Sequence, residues 1–396
     1  MIGLLILTYL TFIGLGLGDS LLGSAWPAMY GQFGVDTAAA GSLSMLISGT
    51  TIVATYLSAR ILRRFGTGLV LAASLSLMAI AVLGFSLSGH FLILCLLAIP
   101  LGFGIGSVDT AGNGFLALHY NAKQMSWLHC FWGVGATAGP AIMAFSLMQL
   151  GGWTVGYRIV GIVQLAVVAT LFASLTRWKR VPTEGEALSA AHAAEEAKRA
   201  PSTVALLRLR GARLAIVLFF VTGGMEMTLG LWGSTYLVLA RGIPRETATS
   251  WLALYYLGLT VGRFLFGFLA DRLRSQSMIR IGQSMIAIGA VIIALPFDFT
   301  LMPGFILLGL GNAPLFPNYI HSTPSLFGRR HTQAMIGLQM VGTYVGVMLL
   351  PPLFGLLGSR FGYGLFPVFV GTLLAVTIVL VKILYRHHAE QEESQP

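Results

Sequence analysis

Three acidic residues lie inside long apolar segments of this chain, where a charged side chain is unfavourable. Asp19, Asp109 and Glu226 are each surrounded by hydrophobic residues, and the whole sequence contains only 14 Asp and Glu. A carboxylate at the centre of a membrane-spanning helix costs about 2.5–3.5 kcal/mol on insertion scales. Because an apolar cavity disfavours the charged form of a carboxyl group, such residues can exchange protons near neutral pH. We therefore predict that these three acids couple proton movement to the binding of a solute.

Further polar residues lie near these acids or on neighbouring apolar segments. Asp109 and Asn113 are four residues apart, which places them on one helical face. On the next apolar segment, His129 and Trp132 are three residues apart. Acids and amides bind hydroxyl groups, and an aromatic face can stack on a sugar ring. The predicted substrate-binding residues are Asp19, Asp109, Asn113, His129, Trp132, Glu226, Trp232, Asn318 and Gln339.

Several of these residues have a structural alternative that the sequence leaves open. Asp109 could pair with Arg158 or accept a hydrogen bond from Thr110. Glu226 could equally serve helix packing, and His129 could form a hydrogen bond between helices rather than carry a proton. Only contacts in three dimensions decide between these roles.

The composition identifies an integral membrane protein. Of 396 residues, 56% are hydrophobic and 10% are charged, whereas a soluble domain is about 25% charged. Among the 49 glycines, Gly14 and Gly18 lie near Asp19 and predict close approach of helix backbones. The net charge of +10 arises from basic residues that flank apolar segments, which is a topology signal rather than a nucleic-acid-binding face. The lipid bilayer, and no nucleic acid, is the expected partner.

Twelve apolar runs have about the 20 residues that are needed to cross hydrocarbon. The first begins at Met1 and predicts a retained helix rather than a cleaved signal peptide. We therefore predict an all-α membrane protein with twelve transmembrane helices. The runs lie near residues 2–30, 38–59, 67–89, 92–118, 125–150, 155–176, 212–240, 247–270, 278–296, 300–320, 332–358 and 362–385.

The distribution of basic residues predicts the orientation of these helices. Lys and Arg concentrate in cytoplasmic loops during insertion. With both termini inside, 19 of the 24 Lys and Arg fall on the cytoplasmic side. The sequence therefore predicts a multi-pass protein of the cell (plasma) membrane with both termini in the cytoplasm.

A polar segment divides the chain into two halves with six apolar runs each. Residues 178–210 predict a cytoplasmic linker between an N-terminal bundle, residues 1–177, and a C-terminal bundle, residues 211–396. The halves resemble each other at a nearly constant spacing: Pro140 and Pro351, for example, are 351 − 140 = 211 residues apart. Two pseudo-symmetric six-helix repeats predict a binding site between them near the membrane midplane.

One loop resembles a known family. The segment GFLADRLRS, Gly267–Ser275, is similar to the loop signature of the major facilitator superfamily, in which an Asp and basic residues latch one side of the carrier. The copy in the first half has Ala59 in place of the acid. The resemblance implies the major facilitator fold and a monomer. It also implies the gating residues Arg60, Arg64, Asp271 and Arg272.

Within that superfamily, the fourth apolar run resembles the corresponding helix of the fucose permease and proton-coupled hexose symporter branch. This helix, GIGSVDTAGNGFLALHY, spans Gly104–Tyr120, and the first run, GLGLGDSLLGSAWP, also carries an acid as that branch does. The resemblance implies that Asp19 and Asp109 match the two acids that bind substrate and couple protons in that branch.

The chain also departs from that branch at four positions. Asp109 replaces a longer Glu, and Gly114 stands where the branch has Pro. His129 and Trp132 stand where sugar-carrying relatives tend to have amides. These differences argue against fucose itself and leave a small polar solute, with a sugar or polyol favoured.

Motifs of enzymes and of nucleotide-driven pumps do not occur in the sequence. There is no phosphate-binding G-x-x-x-x-G-K-[ST], no H-E-x-x-H and no nucleophile elbow, and no cofactor or metal site is predicted. We therefore predict proton-coupled symport by alternating access rather than an enzyme. Three alternatives remain: a proton-driven exporter of amphiphilic compounds, a sodium-coupled sugar carrier whose acids and Asn113 supply oxygen ligands, and a membrane sensor that does not transport.

Overall fold

The fold is helical throughout the residues that the structure describes. A computed structural model describes residues 2–120, 122–178, 203–270 and 272–393, and these ranges contain helices and loops but no strand. Within them, twelve helical segments are long and apolar enough to cross a membrane. The predicted all-α membrane protein with twelve transmembrane helices is confirmed.

The helices follow the apolar runs in order, and two of the runs are interrupted. The α-helices are α1 (Ile2–Asp19), α2 (Leu21–Met29), α3 (Ala39–Phe65), α4 (Thr67–Leu87), α5 (Phe91–His119), α6 (Ala122–Gln149), α7 (Trp153–Ala173), α8 (Leu175–Trp178), α9 (Thr203–Leu207), α10 (Ala212–Arg241), α11 (Arg245–Leu269), α12 (Ser275–Ala294), α13 (Leu301–Asn312), α14 (Leu315–His321), α15 (Thr323–Phe327), α16 (Thr332–Phe361) and α17 (Phe366–Glu393). Short 3-10 turns occupy Asp298–Thr300, Arg329–His331 and Tyr363–Leu365.

The first membrane segment is interrupted directly after Asp19. Helix α1 ends at this residue and α2 begins at Leu21, with a turn at Ser20 between them. Glycines, which have low helix propensity, precede the interruption at positions 14, 16 and 18. The interruption is slight, since Ser20 keeps near-helical dihedral angles (φ −91°, ψ −7°) and Ile2–Met29 forms one membrane segment.

The tenth membrane segment is interrupted between α13 and α14, at Ala313 and Pro314. Proline has no backbone N–H and therefore removes one helical hydrogen bond, but Ala313 and Pro314 keep helical dihedral angles, so this interruption is also slight. Asn312 is the last residue of α13 and is buried.

The described residues belong to two compact units. Of the described residues, the first unit contains those up to 178 together with 230–257, and the second contains 203–229 together with those from 258 to 393. These units assign the last 12 residues of α10 and the first 13 residues of α11 to the first unit, whereas the predicted bundles separate at the linker. Residues 179–202 of that linker lie outside the described residues, and the division into bundles of residues 1–177 and 211–396 stays a prediction.

In the first unit, α1 packs along α6 through a line of glycines. A Cβ at Gly16 would meet the carbonyl oxygen of Trp132, and a Cβ at Gly135 would meet the carbonyl oxygen of Ile13. A Cβ at Gly139 would meet Ser20 Oγ and the carbonyl oxygen of Leu17. We call these three close contacts between the two helices, at Gly16, Gly135 and Gly139, the α1–α6 glycine seam. It brings the two backbones together as glycine allows between membrane helices.

The prediction that Gly14 and Gly18 mediate backbone approach is wrong. A Cβ at Gly14 would meet the side chains of Leu75 and Gln164, and one at Gly18 would meet Met78 and Gln164. These glycines therefore face side chains of α4 and α7. The alternate glycines of the sequence GLGLG point in different directions because successive helical residues are about 100° apart, and Gly16 alone among them meets the α6 backbone.

The second unit repeats this arrangement between α10 and α16. A Cβ at Gly346 would meet the carbonyl oxygen of Phe220, and Gly346 lies 346 − 135 = 211 residues after Gly135. Gly223 contacts Thr343 in the same unit. The spacing equals that between Pro140 and Pro351, so the internal repeat seen in the sequence recurs as a repeated packing contact.

The residues 230–257 of the first unit also pack tightly onto α2. Thr249 Oγ1 donates a hydrogen bond to the carbonyl oxygen of Ser24 at 2.9 Å. A Cβ at Gly23 would meet the carbonyl oxygen of Gly230 and, at 2.7 Å, the Cα atom of Leu231. This contact leaves no room for a side chain at position 23.

We expect Gly16→Ala to destabilise the protein through the α1–α6 glycine seam. Overpacking a close contact costs about 1–3 kcal/mol, and here the added methyl group meets backbone atoms of Trp132 and Ala136 that cannot rotate away. The midpoint of thermal unfolding in detergent should fall by several degrees. Gly114→Ala is the matched control, because a Cβ at Gly114 enters open space and alanine is the better helix former. An equal midpoint for both variants would contradict the close contact.

Candidate functional site

Asp19 receives a hydrogen bond from an aromatic residue on the neighbouring helix. The indole Nε1 of Trp132 donates to Asp19 Oδ2 at 2.9 Å. Asp19 ends α1, and Trp132 lies in α6, so the glycine seam places both partners. Both side chains are half-buried. Two residues that were predicted separately as substrate-binding are therefore in direct contact.

Asp109 and Asn113 form a second acid-and-donor pair on α5. Asn113 Nδ2 donates to Asp109 Oδ1 at 2.9 Å and to the Asp109 carbonyl oxygen at 2.9 Å. The hydroxyl group of Thr110 donates to the carbonyl oxygen of Gly106 instead. Arg158 is exposed on α7, and within the described part of the chain it forms no ion pair with Asp109. The two structural alternatives for Asp109 are therefore not the contacts that this fold makes.

The two acids of the first unit are close enough to interact. Asp109 exerts a direct electrostatic effect on Asp19. Among the described residues, neither carboxylate lies within 4.0 Å of a Lys, Arg or His nitrogen. Their side-chain donors, Trp132 and Asn113, are both neutral. Within the described part of the chain, no basic side chain neutralises these two carboxylates.

His129 lies on the same helix as Trp132, one turn earlier. Its ring meets that of Phe12 edge-on, with 6.4 Å between the ring centroids, and its side chain is exposed. Nearby, Tyr9 stacks on Phe131 at 4.6 Å. The fold thus brings Asp19, Trp132 and His129 to the interface of α1 and α6.

Glu226 forms an ion pair in the second unit. Arg263 Nη2 lies 3.2 Å from Glu226 Oε1, and the two side chains are 18% and 24% exposed. Ile13 meets Gly135, and Asp19 lies six residues after Ile13. Phe220 meets Gly346 in the second unit, and Glu226 lies six residues after Phe220. The two acids therefore occupy corresponding positions relative to these glycine contacts. Asp19 therefore accepts a hydrogen bond from a neutral side chain, whereas Glu226 pairs with a cationic one.

Arg263 was not among the predicted site residues. It lies within the last two turns of α11, in the apolar run VGRFLFGFLA. An ionisable residue within a membrane segment is a functional candidate that normally has a charged or backbone partner. Its position in the run was the available signal, but the sequence did not show which acid it meets.

The remaining substrate-binding candidates are buried. Trp232 has no exposed surface, and Gln339 is 1% exposed. Gln339 Oε1 accepts a hydrogen bond from Thr323 at 3.0 Å, and Asn318 Nδ2 donates to the Pro314 carbonyl oxygen at 2.7 Å. Gln339 and Asn318 therefore form hydrogen bonds with neighbouring protein groups. The role of these residues and of Trp232 in substrate binding stays a prediction.

The predicted gating residues lie at helix ends. Arg60 and Arg64 are exposed near the end of α3, and the Arg64 guanidinium lies 5.5 Å from the centroid of the Phe65 ring. Arg272 is exposed just after α11. Asp271 lies outside the described residues, so the latch stays a prediction.

The described residues contain no cluster of three or more His, Cys, Asp or Glu side chains that could hold a metal ion. The candidate site of the first unit consists of two carboxylates with their donors. Carboxyl groups of this kind can accept hydrogen bonds and, when protonated, also donate one.

Comparison with known proteins identifies both sequence and structural relatives. The profile described as Major Facilitator Superfamily matches residues 8–250 and 214–396. Bypass of stop codon protein 6 of Saccharomyces cerevisiae is 25% identical over 66% of this chain and 56% of its own length. The glucose/mannose transporter GlcP of Bacillus subtilis is 21% identical over 62% of this chain and 61% of its own length. The chain thus aligns with less than two thirds of each of these curated relatives.

Solved structures resemble the chain over almost its entire length. The nucleoside transporter NupG aligns with a TM-score of 0.74 and 14% identity, over 95% of this chain and 98% of that one. A D-xylose-proton symporter aligns with a TM-score of 0.72 and 15% identity, over 96% of both chains. At this identity the likeness shows the fold.

Proposed function

Because the chain belongs to the Major Facilitator Superfamily, whose members are membrane transporters, we propose that it carries a small polar solute together with protons. The observation that carries this proposal is the pair of acids in the first unit. Asp19 and Asp109 interact with each other and receive hydrogen bonds from neutral side chains. Such carboxyl groups can be neutralised by protons, which allows a proton gradient to drive uptake.

Protonation changes both the charge and the hydrogen bonding of the site. As anions, Asp19 and Asp109 accept hydrogen bonds only, whereas a protonated carboxyl group also donates one. In the proposed cycle, protonation of Asp109 or Asp19 favours loading of the solute from outside. Release of solute and proton into the cytoplasm then resets the carrier. Glu226 is the third proposed coupling acid, and it forms an ion pair with Arg263.

A sugar or polyol is the proposed substrate class. Hydroxyl groups can pair with Asp19, Asp109 and Asn113, and the half-buried ring of Trp132 offers an apolar face. The resemblance to the fucose permease and hexose symporter branch supports this class. The relatives include a glucose/mannose transporter and a D-xylose-proton symporter, which is consistent with it.

The proposal includes the arrangement of the molecule in the membrane. We propose a monomer of two six-helix bundles in the plasma membrane with both termini in the cytoplasm. The repeated contacts of Gly135 with Ile13 and of Gly346 with Phe220 support the internal repeat. Alternating access would then expose the solute site to each side in turn, with Arg60, Arg64, Asp271 and Arg272 at the latch.

Proton movement into liposomes tests this proposal. The purified protein is reconstituted with an internal pH dye, and hexoses, deoxyhexoses and polyols are added outside one at a time. We expect one sugar class to acidify the lumen, and protein-free liposomes to show no response. Solute uptake that requires sodium would show that sodium, rather than the proton, is the coupling ion. No response to any sugar, with proton-linked export of an amphiphilic dye, would replace the proposal by the exporter alternative.

A further inference from the structure

The two acids of the first unit have donors of different chemical kinds. Asp109 is bonded by the amide of Asn113, and Asp19 by the indole of Trp132. The Asn113 amide nitrogen donates both to the carboxylate and to the backbone carbonyl oxygen of Asp109, within one helix. The Trp132 indole N–H, which can only donate, reaches Asp19 from a different helix. A hydrogen bond to an ionised acceptor is about twice as strong as one between neutral groups, so this contact depends on the charge of the carboxyl group.

Trp132 is also held rigidly beside Asp19. A Cβ at Gly16 would meet the Trp132 carbonyl oxygen and, at 2.7 Å, the backbone nitrogen of Ala136. Asp19 is three residues after Gly16, so one helical contact fixes the backbones of donor and acceptor together. Groups held by packing keep a defined geometry, which a tuned proton site requires.

Of the helices that surround Asp19, α5 carries the charged group that acts on it, Asp109. On α6, His129 lies against Phe12, one turn before Trp132. Helices α4 and α7 place Met78 and Gln164 beside Gly18, and neither of these side chains titrates. Helix α2 contains no titratable residue. Further along α7, Tyr157 is buried against Phe85 and Arg158 is exposed.

We propose that Trp132 is a positioning residue that sets the pH at which Asp19 takes up a proton. This inference rests on the proposed function and deepens it. Because the indole cannot accept a hydrogen bond, the proton on Asp19 must be bonded by another group. A hydroxyl oxygen of the solute can supply that acceptor, which would link protonation of Asp19 to solute binding.

Trp132→Phe tests the inference, because it removes the N–H donor and keeps an aromatic ring. Infrared spectroscopy of the solute-free protein follows the carbonyl stretch of protonated carboxyl groups during a pH titration, and Asp19→Asn identifies the Asp19 band. We expect Trp132→Phe to move the midpoint of that band upward by about one pH unit, as loss of a hydrogen bond to a charged group requires. In liposomes, the pH of half-maximal solute-triggered acidification should move in the same direction.

Trp127→Phe is the matched control on the same helix. Trp127 is 40% exposed and lies near Phe131, and its replacement should leave the Asp19 midpoint unchanged. In an Asp19→Asn background, Trp132→Phe should leave the infrared titration of the remaining carboxyl groups unchanged, as expected when two residues act through one contact. A Trp132→Phe variant that loses transport rate without a shift in the Asp19 midpoint would overturn the inference. A wild-type protein that shows the Asp19 titration but no solute-triggered proton movement would instead overturn the proposed function.

Discussion

Replacing Asp109 with Asn should abolish concentrative uptake while leaving the protein folded. The amide has nearly the shape of the carboxyl group and can keep a hydrogen bond with Asn113, but it cannot take up a proton. A pH gradient of one unit supplies about 1.36 kcal/mol for each proton, and a tenfold concentration ratio of solute costs about the same free energy. One symported proton therefore supports about tenfold accumulation of solute for each pH unit. Solute accumulation by the variant should therefore fall to simple equilibration, and the acidification of the lumen should disappear.

The measurement is uptake of labelled sugar into liposomes with an imposed pH gradient. Asp36→Asn is the matched control, since Asp36 is an exposed acid that caps the backbone N–H of Ala38 at 2.7 Å, and Asn is an equally good cap. The control should accumulate solute as the wild type does. Full concentrative uptake by Asp109→Asn with unchanged pH dependence would remove Asp109 from the coupling mechanism.

Arg263→Met should strongly destabilise the protein by leaving the Glu226 carboxylate without this cation. Breaking a buried pair by removing one partner costs about 3–5 kcal/mol, whereas replacing both partners is often neutral. Because the two side chains are 18% and 24% exposed, we expect the lower end of that range. The yield of folded protein and the midpoint of thermal unfolding should both fall, and the double variant Glu226→Gln with Arg263→Met should recover them.

The double variant also decides the role of Glu226. If it folds and still accumulates solute, the pair is structural and Glu226 does not carry a coupled proton. If it folds but no longer transports, the pair acts in transport. Arg245→Met on the same helix is the control, because Arg245 is exposed at the start of α11. Equal unfolding midpoints for Arg263→Met and Arg245→Met would show that the ion pair contributes no stability.

The sequence alone predicted the twelve membrane segments and the importance of the acids. Both follow from local properties, since about 20 apolar residues are needed to span hydrocarbon and an ionisable residue within such a run is unfavourable unless it has a role. The pair of Asp109 and Asn113 was also predictable, because four residues along one helix bring two side chains together.

The contacts between helices were decided only by the tertiary structure. Trp132 reaches Asp19 from a helix far along the chain, and the sequence placed both in the site without showing that they touch. Helical periodicity shows which residues share a face but not which neighbour that face meets. For the same reason Gly16, rather than Gly14 or Gly18, is the glycine that meets the α6 backbone.

Asp19 and Glu226 show most clearly what the sequence determines and what only the tertiary structure decides. Asp19 and Glu226 are both acids in apolar runs, and the sequence predicted the same coupling role for both. The fold gives Asp19 a neutral donor and gives Glu226 a cation, Arg263. The charge state of a buried acid depends on the groups within a few ångströms of it. Composition and spacing therefore determined that this chain holds acids in a membrane, whereas helix packing decided which of them has a basic partner.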